Sequence, residues 1–263
     1  MEYLNTERTY ERFMTVLKSH GNENLFKDNL NDSVRFNKCI STESESIFVA
    51  NEEGTIILYA QDFTEDELNM IVPYIRNLMT SKYVKRIEMN EQAIAIMKQV
   101  NKVMDKGHDT YVRNIIMKKC DITKPYGDIK PLDKKTVAES FIKNIADYSG
   151  MPMSKSELHY ERICDCADIY GIIETDGYAE KLISQCYVPY TNLDEYFVCG
   201  VFTEQELRGN GLATALVRAV SNKLLEEKAR VVYLDVTADN ENAIRAYMSA
   251  GFSLCDMYYE YSL

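Results

Sequence analysis

The sequence predicts a mixed α/β fold, with helices against mixed sheets and two α/β domains in tandem. Three observations lead there. Short apolar runs of strand period alternate with amphipathic helical stretches along the chain. In the later part, a strand, a loop with two glycines and a long amphipathic helix follow in direct succession. The order of elements in the first half loosely repeats that of the second.

In the first half, Tyr10, Phe13, Val16 and Leu17 fall at helical spacing within residues 6–19. Residues 46–50 and 55–60 read as strands joined by the turn Asn51-Glu52-Glu53-Gly54. Thr64 followed by Glu67 is a capping box that opens a helix through Leu68, Ile71, Ile75 and Leu78. Pro73 lies inside that helix and is expected to bend or shorten it. A strand near 83–89, a helix near 91–104 and a strand near 109–118 complete this half. The stretch 120–128, with Lys124-Pro125-Tyr126-Gly127, is the linker candidate, giving domains 1–122 and 123–263.

The second half starts with a short strand at 129–132 and helices near 134–147 and 154–166. Strands at 169–174 and 178–187 flank Asp176-Gly177, a tight-hairpin signal. A strand over 195–203 leads through the glycine-bearing loop into a helix over 212–228. A buried strand at 231–236, a helix at 240–250 and a strand at 252–261 follow.

Composition sets outer limits. The chain has 263 residues, enough for one large domain or two ordinary ones. No apolar run nears the roughly 18 residues that cross a bilayer, and the polar N-terminus does not resemble a signal or transit peptide. A cytoplasmic protein that does not associate with membranes is expected. A net charge of −11 opposes non-specific attraction to nucleic acid. The same acidity suits amine substrates, or serves only solubility. The seven cysteines are odd in number and include no C-x-x-C, as in a reducing compartment. Cys164-x-Cys166 lacks a partner pair and only three histidines are present, so no metal site is expected.

The most informative segment runs from Val201-Phe202-Thr203 through Arg208-Gly209-Asn210-Gly211-Leu212-Ala213 into the helix containing Leu216, Val220 and Leu224. Unpaired amides and the positive end of a helix dipole suit a pyrophosphate there, and glycine lets the backbone approach it. Many such turns bind nothing. A Walker loop is ruled out because Leu212-Ala213 replaces its G-K-[ST]. A dinucleotide-dependent oxidoreductase fits poorly, since Thr214 replaces the third glycine and too little chain follows.

Arg208-Gly209-Asn210-Gly211-Leu212-Ala213 resembles the R-x-x-G-x-G/A motif of the GNAT superfamily of N-acetyltransferases. Asn240-Glu241-Asn242-Ala243-Ile244-Arg245-Ala246-Tyr247, with Gly251-Phe252 beyond, resembles its N-x-x-A-x-x-x-Y-x-x-x-G-F element, in the same order. Gly200-Val201-Phe202-Thr203 is similar to the G-V-Y-T of some branches, with Glu204-Gln205 standing where two prolines often follow.

The resemblance covers residues 128–263 and implies a GNAT-like fold. It also implies direct transfer of an acetyl group from acetyl-CoA to a primary amine of a small molecule or peptide. It places the pyrophosphate on the amides from Arg208 to Thr214 and the thioester along Val201, Phe202 and Thr203. Asn240 and Ala243 then lie near the pantetheine arm, and Tyr247 donates to the departing thiolate. For Tyr247 the alternative is a core tyrosine, and for Asn240 a helix cap. Glu195, thirteen residues before Arg208, resembles the glutamate base of the histone-acetylating branch; an ion-paired strand-end carboxylate is the equal alternative. A non-catalytic acyl-CoA-binding or sensing protein stays open beside the enzyme. The first half has no R-G-x-G loop, so it is expected to be a degenerate GNAT-like domain unable to hold CoA, or an α/β module of other origin. Acceptor identity and oligomeric state have no sequence signal.

Overall fold

The computed structural model describes residues 6–20, 38–52, 54–104, 111–123, 129–175 and 180–263. Asp176-Gly177, Glu53 and most of the proposed linker lie outside them. By packing, the chain divides into two units, Met1–Ile116 with Cys255–Leu263, and Met117–Leu254. Among the described residues no helix is long and apolar enough to cross a membrane.

In the first unit, helix α1 (Thr6–Ser19) turns Phe13 and Leu17 inward, as their spacing predicts. Phe13 stacks on Phe48 with ring centroids 4.9 Å apart. Strands β1 (Lys38–Ser41), β2 (Ile47–Glu52) and β3 (Thr55–Ala60) form an antiparallel meander. β1 is absent from the sequence reading because four residues are too few to show an alternation.

Helix α2 (Glu65–Met79) opens on the expected capping box and crosses back so that β4 (Arg86–Met89) runs parallel to β3. It continues through Pro73 without ending. The lost amide bond is offset by burial of Ile71, Val72, Ile75 and Met79. Helix α3 (Ala93–Val103) follows, and the last strand, β11 (Ser253–Ser262), lies antiparallel to β4.

Two side chains close the end of this sheet. Asn90 Oδ1 accepts from Ala60 N–H at 3.0 Å, and its Nδ2 donates to Ala60 O at 2.7 Å. Its carboxamide thereby completes the ladder where the strands end. Glu67 lies across the first turn of α2, accepting from Thr64 N–H at 2.8 Å, from the Thr64 hydroxyl at 2.9 Å and from the Ser46 hydroxyl at 2.7 Å. Ser44 also donates to it.

The second unit begins within β5 (Val112–Lys119). The expected strand at 129–132 does not form. Leu132 N–H donates to Ile169 O at 2.8 Å, and one bond is not a ladder. Helices α4 (Lys134–Ser149) and α5 (Met153–Cys166) bury Val137, Phe141, Ile145, Tyr160 and Ile163 against β6 (Ala167–Thr175) and β7 (Glu180–Pro189). Asp133 caps α4, and Gly150 ends it with φ +67°.

Helix α6 (Leu212–Glu227), β10 (Val231–Thr237) and α7 (Glu241–Ala250) complete the unit. Lys119 is buried among neutral oxygens, donating to Thr123 Oγ1 at 3.0 Å, Ser221 Oγ at 3.0 Å and Asn222 Oδ1 at 2.5 Å. Thr123 in turn donates to Ala250 O at 3.2 Å. This knot holds the far ends of α6 and α7 beside β5.

Candidate functional site

The strand predicted over 195–203 changes partner midway. Its first part, β8 (Glu195–Phe197), runs parallel to β10, with Glu195 opposite Val231 and Phe197 opposite Tyr233. Val198 N–H still donates to Tyr233 O at 2.9 Å. From there β9 (Cys199–Thr203) leaves β10 and pairs antiparallel with β7.

The cause is a bulge at Gly200, whose φ of +59° lies in the left-handed region. Any Cβ there would stand 2.5 Å from the Tyr187 ring, so the position demands glycine. β9 is an edge of its three-stranded sheet and β8 an edge of the other. A wedge therefore opens between β9 and the second half of β10, and its walls are backbone edges able to pair with an extended amide-bearing chain.

At the wide end of the wedge lies the glycine loop. Beyond a short 3₁₀ turn (Gln205–Leu207), Gly209 and Gly211 take φ of +81° and +77°. No atom lies within 4 Å of where a Cβ would stand at either. The first helical bond of α6 runs from Ala215 N–H to Gly211 O, and no side chain caps the helix. The amides of Leu212, Ala213 and Thr214 thus face outward at the positive end of the dipole.

Arg208 folds away from these amides. Its Nε donates to Thr203 O at 3.0 Å and its guanidinium lies over the Phe202 ring at 5.5 Å. Asn210 Nδ2 braces the turn on Leu207 O at 3.1 Å. An open, glycine-shaped row of amides fits a diphosphate, and the adjoining wedge fits an extended arm.

Tyr247 comes from α7 and is buried. Burial first, and then the neighbouring Cys186 and Asp235, push its hydroxyl above the ordinary phenol range. Cys186 belongs to β7, the partner strand of β9, and Asp235 to β10, so Tyr247 lies near both sheets at the wedge. Thr214 Oγ1 fixes that placement by donating to Ala246 O at 3.2 Å. Asn240 caps α7, accepting from Ala243 N–H at 3.2 Å. Val201 is half-buried, and Phe202 and Thr203 are buried on β9.

Glu195 is brought to a different neighbour. It is ion-paired with Arg230, which also holds Asp194 with a contact of 3.2 Å. Cys164 and Cys166 are free thiols, and no cluster of three or more potential metal-ligating side chains occurs among the described residues.

The sequence reading missed Tyr148. It extends the inward face of α4, following Phe141 and Ile145 at spacings of four and three, and its ring meets Phe202 at 5.9 Å. That periodicity was the available signal.

Residues 148–252 match the model of the Acetyltransferase (GNAT) family. No curated protein matches the chain. Among solved structures, a GCN5-related N-acetyltransferase from Sphaerobacter thermophilus has a TM-score of 0.64 at 15% identity, over 97% of this chain and 91% of that one. A GCN5-related N-acetyltransferase from Kribbella flavida has a TM-score of 0.57 at 14% identity, over 98% and 95%. A tandem GNAT protein from the clavulanic acid biosynthesis pathway has a TM-score of 0.50 at 14% identity, over 82% and 78%. At these identities the likeness is one of fold.

Proposed function

From the match of residues 148–252 to the acetyltransferase (GNAT) family model, we propose that this chain moves an acetyl group from acetyl-CoA to a primary amine by direct attack. The observation that carries the reading is the wedge beside an uncapped, glycine-opened helix start, with the buried Tyr247 near it on α7.

In this reading the amides from Arg208 to Thr214 hold the pyrophosphate and the β9 edge at Val201, Phe202 and Thr203 aligns the thioester. Asn240 and Ala243, at the start of α7, stand by the pantetheine arm. The amine nitrogen bonds to the thioester carbon, the carbon–sulfur bond breaks, and the leaving thiolate takes a proton or hydrogen bond from Tyr247. A phenol whose pKa is raised keeps its proton through the neutral range, so it acts as donor and not as base. Glu195 is the proposed base. Four residue steps along the strand separate it from Cys199, about 13 Å, so water must relay the proton.

Residues 1–122 are proposed as a degenerate domain of the same kind and 123–263 as the catalytic one. In the first unit the matching helix start already carries the Glu67 carboxylate, and Asn90 closes the matching strand end. The pairing of Glu195 with Arg230 favours a second reading, an acyl-CoA-binding or sensing protein without turnover.

Calorimetry with acetyl-CoA on the wild type and Gly211→Asp tests the central claim. Micromolar binding, lost in a variant whose circular dichroism is unchanged, is the expected result. A folded wild type that binds no acetyl-CoA would falsify the proposal. Release of CoA thiol by the wild type in the presence of an amine then separates the two readings, and Glu195→Gln tests the base, with a loss of about 10²-fold in kcat expected. An unchanged kcat would leave Glu195 as Arg230's partner only.

A further inference from the structure

One face of the β8–β9 strand presents side chains that the cofactor chemistry does not use. Alternation along the strand puts Glu195, Phe197 and Cys199 on the side of α4. The bulge at Gly200 then shifts the register, so that Phe202 and not Val201 joins that side. Tyr148 confirms the assignment, with its ring 5.9 Å from that of Phe202 and Cys199 among the neighbours that act on its hydroxyl.

The same surface continues into the α4–α5 turn. Tyr148 is 45% exposed, and beyond Gly150 the side chains of Met151 and Met153 are 40% and 50% exposed. Large apolar groups gathered in solvent at the edge of a cleft are the usual mark of a binding surface. The charged groups nearby are not free to receive a second cation. Asp194 and Glu195 are held by Arg230, and the Arg208 guanidinium lies over the Phe202 ring at 5.5 Å.

We infer that this face is the acceptor subsite and that it takes a monoamine with an aromatic or aliphatic skeleton, with Tyr148 as the residue that sets the preference. The inference rests on the acetyl-transfer reading of the wedge. An aromatic skeleton stacks on Tyr148 and covers Phe197 and Cys199, while its ammonium points along the strand toward Glu195. A diamine gains nothing from its second ammonium here, because the nearby carboxylates Asp194 and Glu195 are already held by Arg230.

The test is CoA-thiol release with 2-phenylethylamine, ethanolamine and putrescine, on the wild type, Tyr148→Ala and Tyr148→Phe. In the wild type kcat/KM for 2-phenylethylamine is expected to exceed the other two by roughly tenfold. Tyr148→Ala should shrink that lead by roughly tenfold, and Tyr148→Phe, which keeps the ring, should retain it. A wild type that prefers ethanolamine or putrescine overturns the inference, as does a Tyr148→Ala that slows all three amines alike.

Failure of the underlying reading is distinguishable. A protein that binds no acetyl-CoA sinks both claims. One that binds it without turnover sinks only the catalytic reading, and 2-phenylethylamine is then titrated calorimetrically into the CoA-loaded protein. Heat that disappears in Tyr148→Ala upholds the subsite, and no heat in the wild type removes it.

Discussion

Tyr247 and Lys119 are both buried, and their chemistry diverges. In the proposed transfer, the proton of Tyr247 is the useful feature. Tyr247→Phe is expected to lower kcat by about 10²-fold while the calorimetric Kd for acetyl-CoA stays near wild type. An equal loss in Kd would make it a packing residue. Lys119 has a structural role. Burial first, and the Arg218 charge second, lower its ammonium from 10.5 to about 8. Between those two values the unfolded chain holds more protons than the folded one, so this group's contribution makes stability rise with pH there and flat below. Urea midpoints across that window should climb in the wild type relative to Lys119→Met; parallel curves would contradict the assignment. Of the two residues only Tyr247 was legible in the sequence, because it falls inside a spaced motif. Lys119 is one lysine among many until folding sets it against Ser221 and Asn222, about a hundred residues away.

At the scale of elements, long periodic stretches were read well and interruptions poorly. Helices α2 and α6 and the hairpin strands declare themselves through their spacing and caps. The split of the 195–203 strand does not, because an alternation of Glu195, Phe197, Cys199 and Val201 carries no mark of where a bulge falls. Gly200 is its one local cue, and it becomes decisive only against the Tyr187 ring. Gly200→Ala should therefore cost about 1–3 kcal/mol from the positive φ and clash together, read as a lower thermal midpoint, and should weaken acetyl-CoA binding by closing the wedge. A variant with normal stability and binding would show that the bulge has another cause. Glu67 makes the matching case in the first unit. Burial raises its pKa, but hydrogen bonds from Ser44, Ser46 and Thr64 prevail and bring it to about 2. Its contribution is present above the ordinary carboxylate range and is lost as pH falls through about 2. Glu67→Gln should cost about 1–3 kcal/mol, measured by chemical unfolding near neutral pH.

For the molecule as a whole, two units with a similar order of elements differ at the start of one helix. In the first, the Glu67 carboxylate, tethered to its own backbone, accepts from the N-cap amide of Thr64 at the start of α2. In the second, the amides of α6 stand open beside Gly209 and Gly211. The difference sets how each unit answers to its surroundings. A free ligand stabilises only the folded form it binds, by about 2.7 kcal/mol at a hundred times Kd. Hydrogen exchange with saturating acetyl-CoA should slow across α6, β9 and α7 and leave α2, β2 and β3 unchanged; slowing everywhere would mean the units unfold as one. The Glu67 carboxylate is a counter-ion tethered by covalent bonds, at a local concentration no solution can match. Acid alone can discharge it, whereas simple dilution would empty the proposed site on α6. The first unit thus carries its own charge above acid pH, and on the proposed function the occupancy of the second follows the acyl-CoA level around it.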